Sequence, residues 1–232
     1  MTISGNQPYF IPYVGYWQLI NAVDIFEIGD DYNYIKNGWI NRNQILYHES
    51  RKYLTLPIKG ASSHKLINDH FISNLDEEKI SKLIQSAYGK TPYFEQGYQL
   101  LQSILTYPDI NLSEFLFHSI SVICDYLEIK TKLIKTSSLQ GNAQFKREHR
   151  IYDQCTRLGA NTYINAIGGM ELYDFKEFRK RGITLKFLKT KPIEYKQFNH
   201  PFVPNLSILD IIMFNSREEV IKMLDCYDLI GE

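Results

Sequence analysis

The sequence predicts an α/β fold with a mainly parallel, Rossmann-like sheet, flanking helices and a helical insertion. Three observations carry this reading. The first 28 residues run strand, loop, helix, strand, a βαβ unit that calls for parallel pairing and a right-handed crossover. The same alternation returns after residue 130. Between the two lie three helical stretches at about 74–128, and no Pro/Gly/Ser-rich linker separates any part, so 1–232 reads as one domain.

The opening is a short strand ending at Gly5, a loop over 6–14 rich in proline and tyrosine, a helix over 15–22 and a strand over 24–28. Gly29-Asp30-Asp31 closes that strand and begins a long polar loop, where carboxylates at the carboxyl edge of a parallel sheet face a ligand crevice. Residues 44–48 and 53–58 read as strands joined by a charged turn over 49–52, a hairpin decorating the sheet. Three helices follow, over 76–88 with an acidic first turn, 92–105 with an early proline, and 113–127 with Ser113 as cap before Glu114. Their apolar residues recur every three or four positions, so they pack against the sheet.

Beyond residue 130 the pattern gives a strand over 132–135, a helix over 146–158, a strand over 162–165, a helix over 173–180 and a strand over 183–188. Gly159 and Gly182 stand where helix C-terminal caps need positive φ. Two apolar helical patterns, 208–214 and 218–224, fill the tail. Ile3, Ile25, Phe26, Leu133, Ile164 and Phe187 should therefore lie in or beside strands of one sheet.

Composition narrows the function. The 26 basic and 26 acidic residues cancel, so no long-range field draws in nucleic acid or anionic membrane, and any phosphate binding is local. Seventeen tyrosines supply flat apolar faces with hydroxyls, suited to a sugar or a base. Cys124, Cys155 and Cys226 are odd in number and set among apolar neighbours, which reads as buried free thiols. The N-terminus lacks a signal-peptide pattern and no apolar run reaches the length of a membrane span, so a cytoplasmic location without membrane insertion is expected. The six histidines are scattered without metal-ligand spacing, so no metal site is expected.

Several blocks carry a resemblance: residues 7–16 (QPYFIPYVGY), Asp30-Asp31, residues 39–43 (WINRN), residues 158–165 (LGANTYIN), Gly168-Gly169 and residues 204–210 (PNLSILD). In order and over nearly the whole chain, they resemble the blocks of the WbqC-like protein family. The resemblance implies bacterial surface-polysaccharide (O-antigen) biosynthesis and the attachment of glycine to the amino group of a dideoxyamino sugar. Many members of that family begin the first block with histidine; here the position is Asn6. The run Tyr13-Val14-Gly15-Tyr16 is also similar to the histidine-x-glycine-histidine signature of adenylyl-transferring enzymes, with tyrosine in place of both histidines.

Candidate residues follow from chemistry and position. Asp30 and Asp31, with Tyr13, are the candidate catalytic groups: a carboxylate can orient or deprotonate a sugar ammonium while its neighbour caps the loop. Gln7, Tyr9 and Gly15 lie before or at a helix N-terminus that offers free N–H groups to an anion. Lys36, Trp39, Asn41, Arg42 and Asn43 place a stacking face, amides and cations in one loop, with Arg42 as phosphate anchor. Lys146 and Arg150 oppose the dipole at the start of their helix, a conflict that an anionic ligand resolves and a solvated basic face also explains. Asn165, Gly168, Gly169, Lys191 and Tyr195 follow strand ends, while Asn205 and Ser207 precede a helix and also suit its cap. Gln7, Tyr13, Asp31, Trp39, Asn41 and Arg42 are expected to line one cleft.

The expected activity is an amide-forming transferase or ligase that joins an amino-acid (glycine-like) or acyl donor to a nucleotide-linked deoxyamino sugar. ATP is the cofactor the opening block would suit; a preformed thioester is the other source of activation. The competing reading is a noncatalytic nucleotide-sugar or carbohydrate-binding accessory protein of a glycan assembly pathway.

Overall fold

The computed structural model describes residues 1–231. A six-stranded sheet forms its centre, in the order β5-β2-β1-β6-β7-β8. Strands β1 (Thr2–Asn6), β2 (Ile25–Ile28), β5 (Lys132–Lys135), β6 (Thr162–Ala166) and β7 (Thr184–Thr190) pair in parallel, and β8 (Tyr227–Gly231) closes one edge antiparallel to β7. Ile3, Ile25, Phe26, Leu133, Ile164 and Phe187 all lie in this sheet, as the pattern of the sequence predicts.

Both faces of the sheet are covered, which is the condition under which parallel strands stay buried. On one face Phe26, Ile28, Ile164 and Leu188 join a large core with α1 (Val14–Asn21), α3 (Phe94–Leu105), α4 (Leu112–Tyr126) and α7 (Ile208–Phe214). On the other, Ile3, Ile25, Tyr163, Leu185 and Phe187 meet α5 (Glu148–Leu158) and α6 (Phe175–Lys180) through Ile151, Tyr152, Cys155 and Phe178. Registers Ile3↔Ile25 and Ile3↔Tyr163 put these side chains in one row, since alternate residues of a strand share a face. Helices α2 (Glu77–Tyr88), α3 and α4 occupy the stretch read as a helical insertion, and α8 (Arg217–Met223) precedes β8.

Several local readings change. The hairpin of β3 (Arg42–Tyr47) and β4 (Ser50–Thr55) is a two-stranded sheet of its own. Its turn is His48-Glu49, at φ 44° and 63°, and not residues 49–52. A two-residue loop of the type I′ kind takes positive φ at both central positions to match strand twist, and that demand overrides the charge pattern. Helix α4 is capped by Asn111, whose side chain accepts from the Ser113 and Glu114 amides. Ser113, the cap expected from sequence, lies inside the helix and donates to Asp30. Helix α5 starts at Glu148, two residues later than the pattern indicates, after Arg147 at φ 52°. Strand β8 carries no strong alternating pattern and is held by pairing with β7.

Two buried carboxylates tie the layers together. Asp210, at the start of α7, accepts from Tyr88 (2.7 Å), Tyr195 (2.5 Å) and Gln197 (2.7 Å); the Tyr88 hydroxyl in turn accepts from the Leu46 amide at 2.8 Å. One side chain thus joins α2, α7, the hairpin and the segment before α7. Asp30, directly after β2, accepts from Ser113 Oγ (3.3 Å), Ser137 N (3.0 Å) and Ser137 Oγ (2.7 Å), linking the β2 exit to α4 and to the turn after β5. Removing either carboxylate strands buried donors, each costing about 1–3 kcal/mol. Asp30→Ala is expected to lower stability by about 2–4 kcal/mol with an unchanged urea m value, measured by equilibrium unfolding.

Candidate functional site

The order of the strands locates the site. From β1 the chain moves to β2 and then β5 on one side, and it returns across β1 to β6 and β7 on the other. The winding reverses between β1 and β6, and open parallel sheets bind ligands outside the strand carboxyl ends at such a point. A cavity of about 260 Å³ opens there.

Its walls come from the exits of four strands and one helix. β1 supplies Gly5 and Asn6 with Gln7 beyond it; β2 supplies Glu27, with Gly29 and Tyr32 after it; Thr136 follows β5; and β6 supplies Tyr163 and Asn165, with Tyr173 further on. Arg147, Ile151 and Gln154 line the opposite side, spaced to share a face at the start of α5. Amides and tyrosine hydroxyls dominate, and the charged groups are Glu27 and Arg147.

Glu27 is the unusual member. Every residue of β2 is buried, and Glu27 shares a face with Ile25 in a position that the fold otherwise fills with apolar side chains. It is 1% exposed, and neither carboxylate oxygen has a hydrogen-bond partner among the described residues. Burial pushes its pKa up to about 8, against the lowering effect of Arg150 and with smaller upward contributions from Asp31 and Asp153. The carboxyl is thus mostly protonated at neutral pH. Across β1 its partner is Gly5, where an added Cβ would stand 3.0 Å from the Glu27 carbonyl oxygen and 3.1 Å from its Cβ. A larger residue there would crowd Glu27 and its strand. Burial also raises the phenols of Tyr32, Tyr163 and Tyr173.

Behind the cavity the charges are matched. Arg150 Nη2 donates to both oxygens of Asp31 at 2.5 and 2.6 Å, its Nε donates to Asn142 Oδ1 at 2.6 Å, and its guanidinium lies over the Tyr32 ring. Asp31 also accepts from Thr136 Oγ1 at 2.5 Å. Arg150, a basic residue set against the helix dipole at the start of α5, therefore answers a carboxylate from the β2 loop.

The structure divides the residues singled out by sequence. Gln7 and Asn165 line the cavity, and Asp31 and Arg150 form its backing pair. Asp30 is consumed by the serine contacts described above. Gly168 and Gly169 lie in a 3-10 turn after β6, and a Cβ on Gly169 would press on the Asn165 amide at 2.9 Å. The loop of residues 39–43 lies apart from the cavity lining. Asn41 is buried between Tyr34 and the Leu56 carbonyl, and Asn43 holds the Phe10 carbonyl. The Arg42 guanidinium donates to the Asn37 and Gly38 carbonyls and covers the Tyr53 ring, which also faces the half-exposed Trp39. Lys36, Lys146 and Asn205 are exposed, Lys191 pairs with Asp228, Tyr195 serves Asp210, and Ser207 caps α7 while donating to the Ile11 carbonyl. Apart from the exposed Lys36, Lys146 and Asn205, these residues hold loops, helix ends or a surface ion pair, and Trp39, Asn41 and Arg42 do not join Gln7 in the cavity lining. The missed polar residues are Asn6, Glu27, Tyr32, Thr136, Arg147, Gln154, Tyr163 and Tyr173; a glutamate inside the apolar run Ile25-Phe26-Glu27-Ile28 is the signal that points to the second.

The opening block does not suit the phosphates of ATP. Tyr13 precedes α1, and a Cβ on Gly15 would meet its ring at 2.5 Å and its hydroxyl at 2.7 Å, with Thr190 Oγ1 at 2.8 Å. The tyrosine thus covers the helix start, Tyr9 packs on Tyr16, and the first turn of α1 carries no basic side chain. Among the described residues no helix is long and apolar enough to cross a membrane.

Two comparisons bear on this chain. The WbqC-like protein family matches it over residues 7–222. The Uncharacterized protein Rv1507c of Mycobacterium tuberculosis is 30% identical over 217 residues, covering 92% of this chain and 93% of that protein.

Glu27 makes stability depend on pH in a defined direction. Below its ordinary value of 4.5 the group is protonated in both states and contributes nothing. Between 4.5 and about 8 the unfolded chain has lost the proton that the folded chain keeps, so stability falls as pH rises, and above about 8 the loss is complete. Glu27→Gln removes this dependence. Urea unfolding at pH 5, 7 and 9 should show the variant gaining on the wild type as pH rises, by on the order of a few kcal/mol at pH 9.

Proposed function

The chain belongs to the WbqC-like protein family, and from that footing we propose that it is an amide-forming transferase of surface-polysaccharide biosynthesis. Its acceptor is the amino group of a nucleotide-linked deoxyamino sugar, and its donor is an activated amino-acid (glycine-like) or acyl group. One observation carries this reading: the crevice at the strand reversal is small, and uncharged amides and hydroxyls make up most of its lining. A volume of about 260 Å³ lies below the range of about 300–1,000 Å³ that holds drug-sized ligands. It suits one sugar ring, with the nucleotide outside. Amides of Asn6, Gln7 and Asn165 match ring hydroxyls, and the tyrosines offer apolar edges to the ring.

The reaction requires a neutral amine beside an acyl carbon. The nitrogen forms the new C–N bond, the donor's leaving group departs with the electrons of the broken acyl bond, and the proton of the amine passes to a base. Arg147 lines the crevice and its guanidinium has no hydrogen bond or ion pair among the described residues, which leaves it available to an anionic part of the acceptor. Asp30 and Asp31 position the walls in this account; their hydrogen bonds leave them little capacity for a further partner.

The test is incubation of the protein with nucleotide-linked amino sugars and candidate donors, with and without ATP, followed by mass measurement. The expected product is the sugar nucleotide carrying one acyl group on nitrogen. Asn165→Ala should raise KM for the sugar about tenfold, the loss of about 1.4 kcal/mol of binding, with kcat changed less. Saturable sugar binding without any product would replace the transferase by a noncatalytic binding protein.

A further inference from the structure

The geometry points to Glu27 as the floor of a subsite for a primary ammonium group, so that the ligand of the crevice is an amine. This deepens the amino-sugar reading, and it rests on that reading only for the identity of the rest of the ligand.

A buried carboxylate normally has hydrogen-bond partners, and Glu27 has none for either oxygen while it lines a cavity. Ser4, Gln18 and Ser119 also carry an unpaired buried oxygen, but none of them is a carboxylate or lines that cavity. The neighbouring groups do not answer the need. Arg150 is committed to Asp31, Asn142 and the Tyr32 ring, and Asp31 and Asp153 add negative charge. Tyr32, Tyr163 and Tyr173 line the same space with phenols that burial keeps protonated, the Cys155 thiol is pushed up to about 12, and Arg147 makes no hydrogen bond to Glu27.

A ligand group that serves both oxygens and offsets the burial of the ionised carboxylate is cationic, rich in N–H donors and small. A metal ion would need several oxygen ligands, and no group of three metal-ligating side chains exists among the described residues. A primary ammonium meets each requirement: its N–H groups can serve both oxygens, and its charge compensates burial. In the free protein the carboxyl holds a proton near neutrality; on binding, that proton leaves to solvent and the ammonium takes its place.

The test starts with a probe that contains no sugar. In carbon-13 NMR of the protein labelled at glutamate carboxyls, the Glu27 signal is assigned by its absence from Glu27→Gln, or by through-bond correlation to its backbone if that variant does not fold. Saturating methylammonium should lower its titration midpoint by one unit or more, whereas tetramethylammonium, a cation without N–H donors, should not. An unmoved midpoint, or an equal shift with both cations, overturns the subsite. Calorimetry with glucosamine and glucose then separates the two proposals. Glucosamine should bind at pH 7 at least tenfold more tightly than glucose and with net proton release, and Glu27→Gln should abolish both differences. A methylammonium response with no glucosamine binding keeps the amine subsite and overturns the sugar reading; equal binding of the two sugars by the wild type overturns the amine subsite.

Discussion

The architecture of this protein turns on two adjacent carboxylates at the exit of β2. Parallel strands end together at one edge of the sheet, where their polar loops must be held without water on the buried side. Asp30 turns inward to Ser113 and Ser137, and Asp31 turns to Arg150 and Thr136. Between them they fix the positions of α4, the turn after β5 and the first turns of α5 relative to β2. Because Asp31 is largely shielded and Arg150 almost wholly buried, breaking the pair leaves an uncompensated charge, a far larger cost than the net worth of the pair itself.

That arrangement sets up a contrast in how the fold treats carboxylates. Asp30, Asp31 and Asp210 are each satisfied by two or more partners, and they act as structural joints. Glu27, a few residues before Asp30 and Asp31, has no hydrogen-bond partner for either carboxylate oxygen among the described residues. A fold that satisfies its other buried carboxylates so fully leaves this one open at the point where the strand order reverses, beside a glycine that makes room for it. Buried ionisable groups with strongly shifted pKa values concentrate at functional sites because catalysis uses what stability would remove.

Much of this was legible in the sequence. The alternation of strand and helix is a property of local hydrophobic pattern, so the parallel sheet, the helices over both faces and the glycine caps at Gly159 and Gly182 follow from it. The antiparallel edge β8 was not legible, because tertiary pairing with β7 holds a segment with a weak pattern of its own. In the site, Gln7 was identified from its place before a helix N-terminus and Asn165 because it follows a strand end. The loop of residues 39–43 misled because residue types suited to a ligand are equally suited to pinning a loop: Asn41, Arg42 and Asn43 spend their hydrogen bonds on backbone carbonyls of residues far or near in the chain. Glu27 escaped notice for the opposite reason. Its significance lies in lacking partners, which a sequence does not display, although a glutamate in an apolar parallel strand is itself a warning.

The most direct measurement is a crystal structure of the protein with a nucleotide-linked amino sugar. The account predicts a sugar ring between the exits of β1 and β6, near Asn6 and Asn165, with its nitrogen within hydrogen-bond distance of the Glu27 carboxylate. A sugar seated instead on the Trp39 and Tyr53 rings, with the crevice between β1 and β6 free of ligand, would contradict it.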